Sequence, residues 1–116
     1  WGIYSIKKKL GKNNFLISDV VEKPEIKNAP SNNAVIGRYI LPKGIFKILK
    51  KQGRGKGGEI HITDAIRKMI KNGSDFIGHK FTGKYLDCGT MNGYIKSTLE
   101  ISKLWKFVWL VQVTLV

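Results

Sequence analysis

Cysteine is almost missing from this sequence. Cys88 stands alone among 116 residues, so no intrachain disulfide can form. That excludes the stapled framework of small secreted domains and makes a cytoplasmic setting the expectation. Histidine is scarce too. His61 and His79 lie far apart without neighbouring cysteines, which argues against a zinc site. No apolar run reaches the ~20 residues that a membrane-spanning helix needs, so no span is expected. The opening residues, Trp1-Gly2-Ile3-Tyr4-Ser5-Ile6, lack both an initiator Met and the charged-then-apolar order of a signal peptide. They read as a strand entered in mid-domain. Acidic residues are few: 8 Asp and Glu against 21 Lys and Arg leave a net charge of +13. Such a balance favours anionic partners, whether nucleotides, sugar phosphates, nucleic acid or acidic membrane. The cations are spread along the chain, as on solvated lysine faces.

The local pattern divides the chain into elements. Residues 1–22 predict a β-hairpin with an apolar stretch at 3–6, a turn region at 7–14 containing Gly11 and an Asn pair, and a return strand at 15–21. Pro24 stops it, and a polar loop follows at 25–33. The run at 34–41 is apolar on both alternating faces apart from Gly37 and Arg38, which predicts a strand covered on both sides. Pro42 suits the first turn of a helix in which Ile45, Ile48 and Leu49 share one face and Lys47, Lys50 and Lys51 face away. QGRGKGG at 52–58 reads as a flexible loop. It fails as a P-loop because Gly57, not Ser or Thr, follows Gly55-Lys56. A second helix is predicted with Thr63 as N-cap, Asp64 in the positive first turn and Gly73 as its close. Its buried stripe is Ile62, Ala65, Ile66, Met69 and Ile70. A strand is expected within 75–81, an extended segment at 84–89, and a last helix at 91–103 with Tyr94, Ile95, Thr98 and Ile101 or Ser102 near one face. The tail at 104–116, LWKFVWLVQVTLV, carries one charge. A buried strand, a sticky exposed segment and a peripheral membrane contact are its open readings.

Two strand ends carry chemistry. Glu22-Lys23-Pro24 puts an acid and a base where a strand stops. A carboxylate can accept hydrogen bonds from two sugar hydroxyls, and an ammonium is a compact point charge suited to phosphate. Ligands gather at strand ends in open α/β sheets. The plain alternative is a surface Glu–Lys pair at a turn. Asp87, before Cys88-Gly89, offers a hard oxygen suited to Mg²⁺. Its plain alternative is capping of a turn or of the next helix. Cys88 has no His near it in sequence to activate a thiolate, and suits a small apolar core position.

Four motifs, in order, carry a resemblance. VVEKP at 20–24, APSN…GRY across 29–39, GGEI..TDAI across 57–66 and YLDCG…GY across 85–94 are similar to segments of the bacterial UTP–glucose-1-phosphate uridylyltransferases, within the wider sugar-nucleotidyltransferase group. The resemblance covers residues 1–103. It implies an α/β fold, the C-terminal part of a Rossmann-like α/β/α nucleotide-diphospho-sugar transferase domain. The implied reaction joins glucose 1-phosphate to UTP, giving UDP-glucose and pyrophosphate. The resemblance further implies that Glu22 binds sugar hydroxyls, that Lys23 is catalytic and holds the sugar phosphate, that the Val35 backbone meets a sugar hydroxyl, and that Asp87 lies near Mg²⁺. Glu59, Thr63 and Asp64 are expected to shape a loop and a helix cap. His61 and Ile62 stand where the family pattern has Gln and Leu. The family's glycine-rich loop and its partner aspartate for the metal have no counterpart in the sequence. The expectation is therefore a sugar-phosphate-binding part at 1–103, inactive alone, followed by an atypical apolar tail at 104–116.

Two other readings stay open. A basic nucleic-acid module would show steep salt dependence and indifference to Glu22→Ala. Scattered lysines and the lack of interleaved aromatic platforms argue against it. An incomplete subunit would need a separate nucleotide-binding chain, or a homo-oligomer, and would expose an apolar docking surface.

Overall fold

The computed structural model describes residues 1–104, which fall into two units, Trp1–Phe81 and the chain from Thr82 onward. In the first unit the hairpin forms, but its turn is shorter than the expected 7–14: the strands run on to Lys9 and resume at Asn14. β1 (Gly2–Lys9) pairs antiparallel with β2 (Asn14–Glu22), and the Leu10 N–H closes the turn onto the Asn14 carbonyl at 2.9 Å. The ladder runs from Lys9↔Phe15 to Gly2↔Glu22, with its register disturbed around Ile6. β3 (Ile77–His79) joins the other edge of β2, also antiparallel, giving the order β1-β2-β3.

Two helices cover this sheet. α1 (Ile45–Lys51) buries Ile45 and half-buries Ile48 and Leu49, while Lys47, Lys50 and Lys51 face solvent as their spacing predicts. α2 (Ile62–Lys71) packs on β2, and α1 packs on α2. Tyr4 and Val20, directly opposed across the hairpin, are buried with Ile45, Ala65 and Ile66, and Ile62, Met69 and Ile70 pack around them. Burial of a side chain such as Ile66 is worth about 2–3 kcal/mol. A two-pronged ion pair fastens the same layers: Arg67 Nε and Nη2 donate to Asp19 Oδ1 and Oδ2 at 2.8 and 2.9 Å. α2 ends in a Schellman motif, with Gly73 N–H on the Ile70 carbonyl and Ser74 N–H on the Met69 carbonyl, both at 3.0 Å. The second unit contains α3 (Met91–Leu104).

Several expectations are corrected. The run at 34–41 is not a strand: Ala34 alone makes a bridge, to Ile3, and Gly37 then turns the chain at φ 79°. Ile40 ends up fully exposed, so the apolar run has no second cover. Thr63 does not cap α2. His61 holds the N-cap position, and Thr63 lies inside the first turn with its hydroxyl committed elsewhere. The glycine-rich loop at 52–58 is closed on itself, by Gly55 N–H to the Glu59 carbonyl at 2.7 Å and Arg54 Nη1 to the Gly58 carbonyl at 2.9 Å. Cys88 is exposed rather than in a core. On α3, Ser97 is the buried position, whereas Tyr94, Ile95 and Ile101 stay exposed. The tail readings for 104–116 fall outside the described residues apart from Leu104, which closes α3.

Candidate functional site

Glu22 occupies the last rung of the hairpin, opposite Gly2. On the other side of β1, the Val35 N–H donates to the Gly2 carbonyl at 2.8 Å. Gly2 thus lies between Glu22 and Val35, and the fold brings both to one end of the sheet. Because the Val35 N–H is committed, a ligand hydroxyl there would have to donate to the Val35 carbonyl. The segment is pinned by Ser31 of the APSN motif, whose hydroxyl donates to the Tyr4 carbonyl, and by Tyr4 N–H to the Asn33 carbonyl at 3.0 Å. Ser31 therefore builds the site rather than meeting a ligand.

Lys23 follows at once, with its N–H on the Trp1 carbonyl at 3.1 Å. Its φ of 40° is the one positive value on a non-glycine residue among those described. Such a conformation costs about 1–2 kcal/mol in an L-residue, and strain of this kind concentrates at functional corners. Lys56 Nζ donates to the Lys23 carbonyl, and the Lys23 ammonium faces Glu59 Oε2 at 3.8 Å. His61 Nε2 meets the Lys56 carbonyl at 2.7 Å, and Gln52 Nε2 donates to the His61 carbonyl at 2.9 Å. The loop at 52–61 is thus the floor under the Lys23 corner. Glu22 is held from above: Thr63 Oγ1 donates to its Oε2 at 2.6 Å. Tyr39 of the GRY motif is close enough that the Glu22 carboxylate, after burial, pushes its phenol above the ordinary value.

Asp87 belongs to the second unit. Its carboxylate is exposed, and Oδ1 accepts the Gly89 N–H at 2.9 Å in a local turn. The cap of α3 is Thr90, whose Oγ1 accepts the Gly93 N–H at 3.0 Å. Gly93 is required there, because a Cβ would collide with the Asp87 carbonyl. Lys84, Tyr85, Leu86 and Asp87 line an open cleft of about 390 Å³ with Gly93 and Lys96 of α3. Among the described residues no three His, Cys, Asp or Glu side chains gather as a metal cluster. No described helix is long and apolar enough to cross a membrane.

The sequence model of nucleotidyl transferases matches residues 2–103. The chain belongs to the nucleotidyl transferase family. Within that family it is 52% identical over 82 residues to a UTP–glucose-1-phosphate uridylyltransferase of Pseudomonas aeruginosa, covering 71% of this chain and 29% of the relative. It is 41% identical over 101 residues to UTP–glucose-1-phosphate uridylyltransferase 2 of Staphylococcus saprophyticus, covering 86% and 34%. Among solved structures, a UDP-glucose pyrophosphorylase complexed with UDP-glucose aligns with TM-score 0.83 and 44% identity over 89% of this chain and 38% of that one. A UTP-bound enzyme of the same kind from Acinetobacter baumannii aligns with TM-score 0.67 and 32% identity, over 87% and 34%. This nucleotidyl transferase chain therefore spans about three-tenths of the length of the curated relatives it matches. Its mixed α/β architecture with an antiparallel sheet is part of the UDP-glucose pyrophosphorylase fold.

Proposed function

We propose that residues 1–103 supply the sugar-phosphate contacts of a UTP–glucose-1-phosphate uridylyltransferase, which converts glucose 1-phosphate and UTP to UDP-glucose and pyrophosphate. The observation that carries this reading is the likeness to the pyrophosphorylase solved with UDP-glucose. The meeting of Glu22, Lys23 and Val35 at one end of the sheet supports it.

In this reading Lys23 holds the sugar phosphate, exchanging its exposed partner Glu59 for the ligand's anion. Glu22, with Oε2 engaged by Thr63, accepts sugar hydroxyls through Oε1. The Val35 carbonyl accepts another. A phosphate oxygen of glucose 1-phosphate then attacks the α-phosphorus of UTP in line, and the bond to pyrophosphate breaks as the new P–O bond forms. No covalent enzyme intermediate is needed; positioning and charge neutralisation supply most of the rate. Nucleotidyl transferases generally work with a divalent metal, and Mg²⁺ is the ion proposed. Asp87 fits as one ligand, since Oδ1 serves the turn while Oδ2 is a hard oxygen, and Mg²⁺ usually takes one or two carboxylates plus phosphates and water. When bound, the ion neutralises phosphate charge. A cytoplasmic setting belongs to the same reading.

Calorimetric titration of UDP-glucose with Mg²⁺ into the purified chain tests it. Saturable heat that disappears in Lys23→Ala is expected. A chain that is folded by circular dichroism and gives no heat would overturn the assignment.

A further inference from the structure

Thr63 is 3% exposed, and its hydroxyl reaches across from the first turn of α2 to the last residue of β2. The 2.6 Å separation from Glu22 Oε2 lies in the range of a charge-assisted O–H···O⁻ bond. Gly2 makes the approach possible: a Cβ there would lie 2.8 Å from Thr63 Cγ2 and 3.3 Å from Glu22 Oε2. A glutamate at a strand end has several rotamers, and a donor locked in a buried helical turn selects one of them. We propose that Thr63 is a positioning residue that fixes the Glu22 carboxylate, and thereby lets the site prefer a sugar phosphate over bare phosphate. This rests on the reading of Glu22 as the acceptor for sugar hydroxyls.

Hydroxyl and phosphate recognition have separate supports. Lys23 is held through Lys56 and faces Glu59, whereas Thr63 bonds Glu22. Loss of the Thr63 hydroxyl therefore acts on the sugar side alone. Val is nearly isosteric with Thr, keeps the methyl packing and removes the donor. Ser keeps the donor and removes a methyl.

The test is calorimetry of glucose 1-phosphate and of inorganic phosphate, each titrated into wild type, Thr63→Ser, Thr63→Val and Gly2→Ala. Circular dichroism checks the fold of each chain. Thr63→Val is expected to weaken glucose 1-phosphate about tenfold, as for a lost hydrogen bond to a charged group, with inorganic phosphate unchanged within about twofold. Thr63→Ser should hold the preference within about twofold, and Gly2→Ala, pressing on the same pair, should reduce it. An unchanged preference in folded Thr63→Val, or equal losses for both ligands, overturns the proposal and leaves the Glu22 and Lys23 assignments standing. Should Thr63→Val not fold, Gly2→Ala decides: an intact preference there overturns the proposal. A wild-type chain without any preference for glucose 1-phosphate overturns the assignment of Glu22, and this inference with it.

Discussion

Lys23 shows how a single residue can be set against its own backbone. Its φ of 40° would suit glycine better, yet its ammonium is the group that the proposed function sets against the sugar phosphate. Lys23→Gly is therefore expected to raise stability by about 1 kcal/mol by relieving the left-handed strain, while abolishing the phosphate binding proposed for Lys23. Urea unfolding and calorimetry on the same variant measure the two effects, and a destabilised Lys23→Gly would show that the conformation is not strained. At this scale the Glu22-Lys23 pair was legible, because an acid and a base at a strand end are adjacent in sequence. Thr63 and Ser31 were not. Their acceptors lie 41 and 27 residues away, and although Ser31 Oγ also accepts the Asn33 N–H in a local turn, no sequence pattern points either hydroxyl at its distant acceptor.

Among the elements, α2 joins the sheet to the other helix of the first unit. Its apolar stripe was readable from the 3.6-residue period: Ala65 and Ile66 are buried and Ile62, Met69 and Ile70 are half-buried around them, while the third buried residue, Thr63, lies off the stripe. The run at 34–41 misled for a physical reason: alternation describes a strand only while the backbone stays extended, and Gly37 leaves that region. The Arg67–Asp19 fork ties α2 to β2 in a way no periodicity reveals. Arg67→Lys keeps the charge but cannot place two parallel donors, and should cost about 1 kcal/mol in urea unfolding. In the second unit, Glu100 of α3 accepts hydrogen bonds from Lys103 and Lys84, and these, with the two charges, lower its pKa from 4.5 to about 2. A depressed carboxylate contributes stability that is full above its ordinary value and is lost as pH falls through the folded one. The contribution of Glu100 should thus fade from about pH 4.5 down to about pH 2. Carboxyl-carbon NMR should give a midpoint near 2 that moves up in Lys103→Ala and Lys84→Ala.

For the molecule as a whole, a large unbalanced charge works against a small core. Net charge of +13 opposes compaction, and five apolar residues are buried among those described. Salt shortens the reach of that repulsion to about 8 Å at physiological ionic strength. The thermal midpoint should accordingly rise by a few degrees between about 10 and 150 mM NaCl, and a midpoint that falls instead would place the surface ion pairs above the net repulsion. The hairpin also separates its two ends. The seven steps of β1 from Gly2 to Lys9, at roughly 3.3 Å per residue, put about 23 Å between the Glu22 corner and the turn. Gly11 at that turn has open space around it, and Lys12 beside it is exposed. A peptide tag inserted genetically at Gly11 would immobilise or report on the chain from the end of the hairpin away from Glu22 and Lys23.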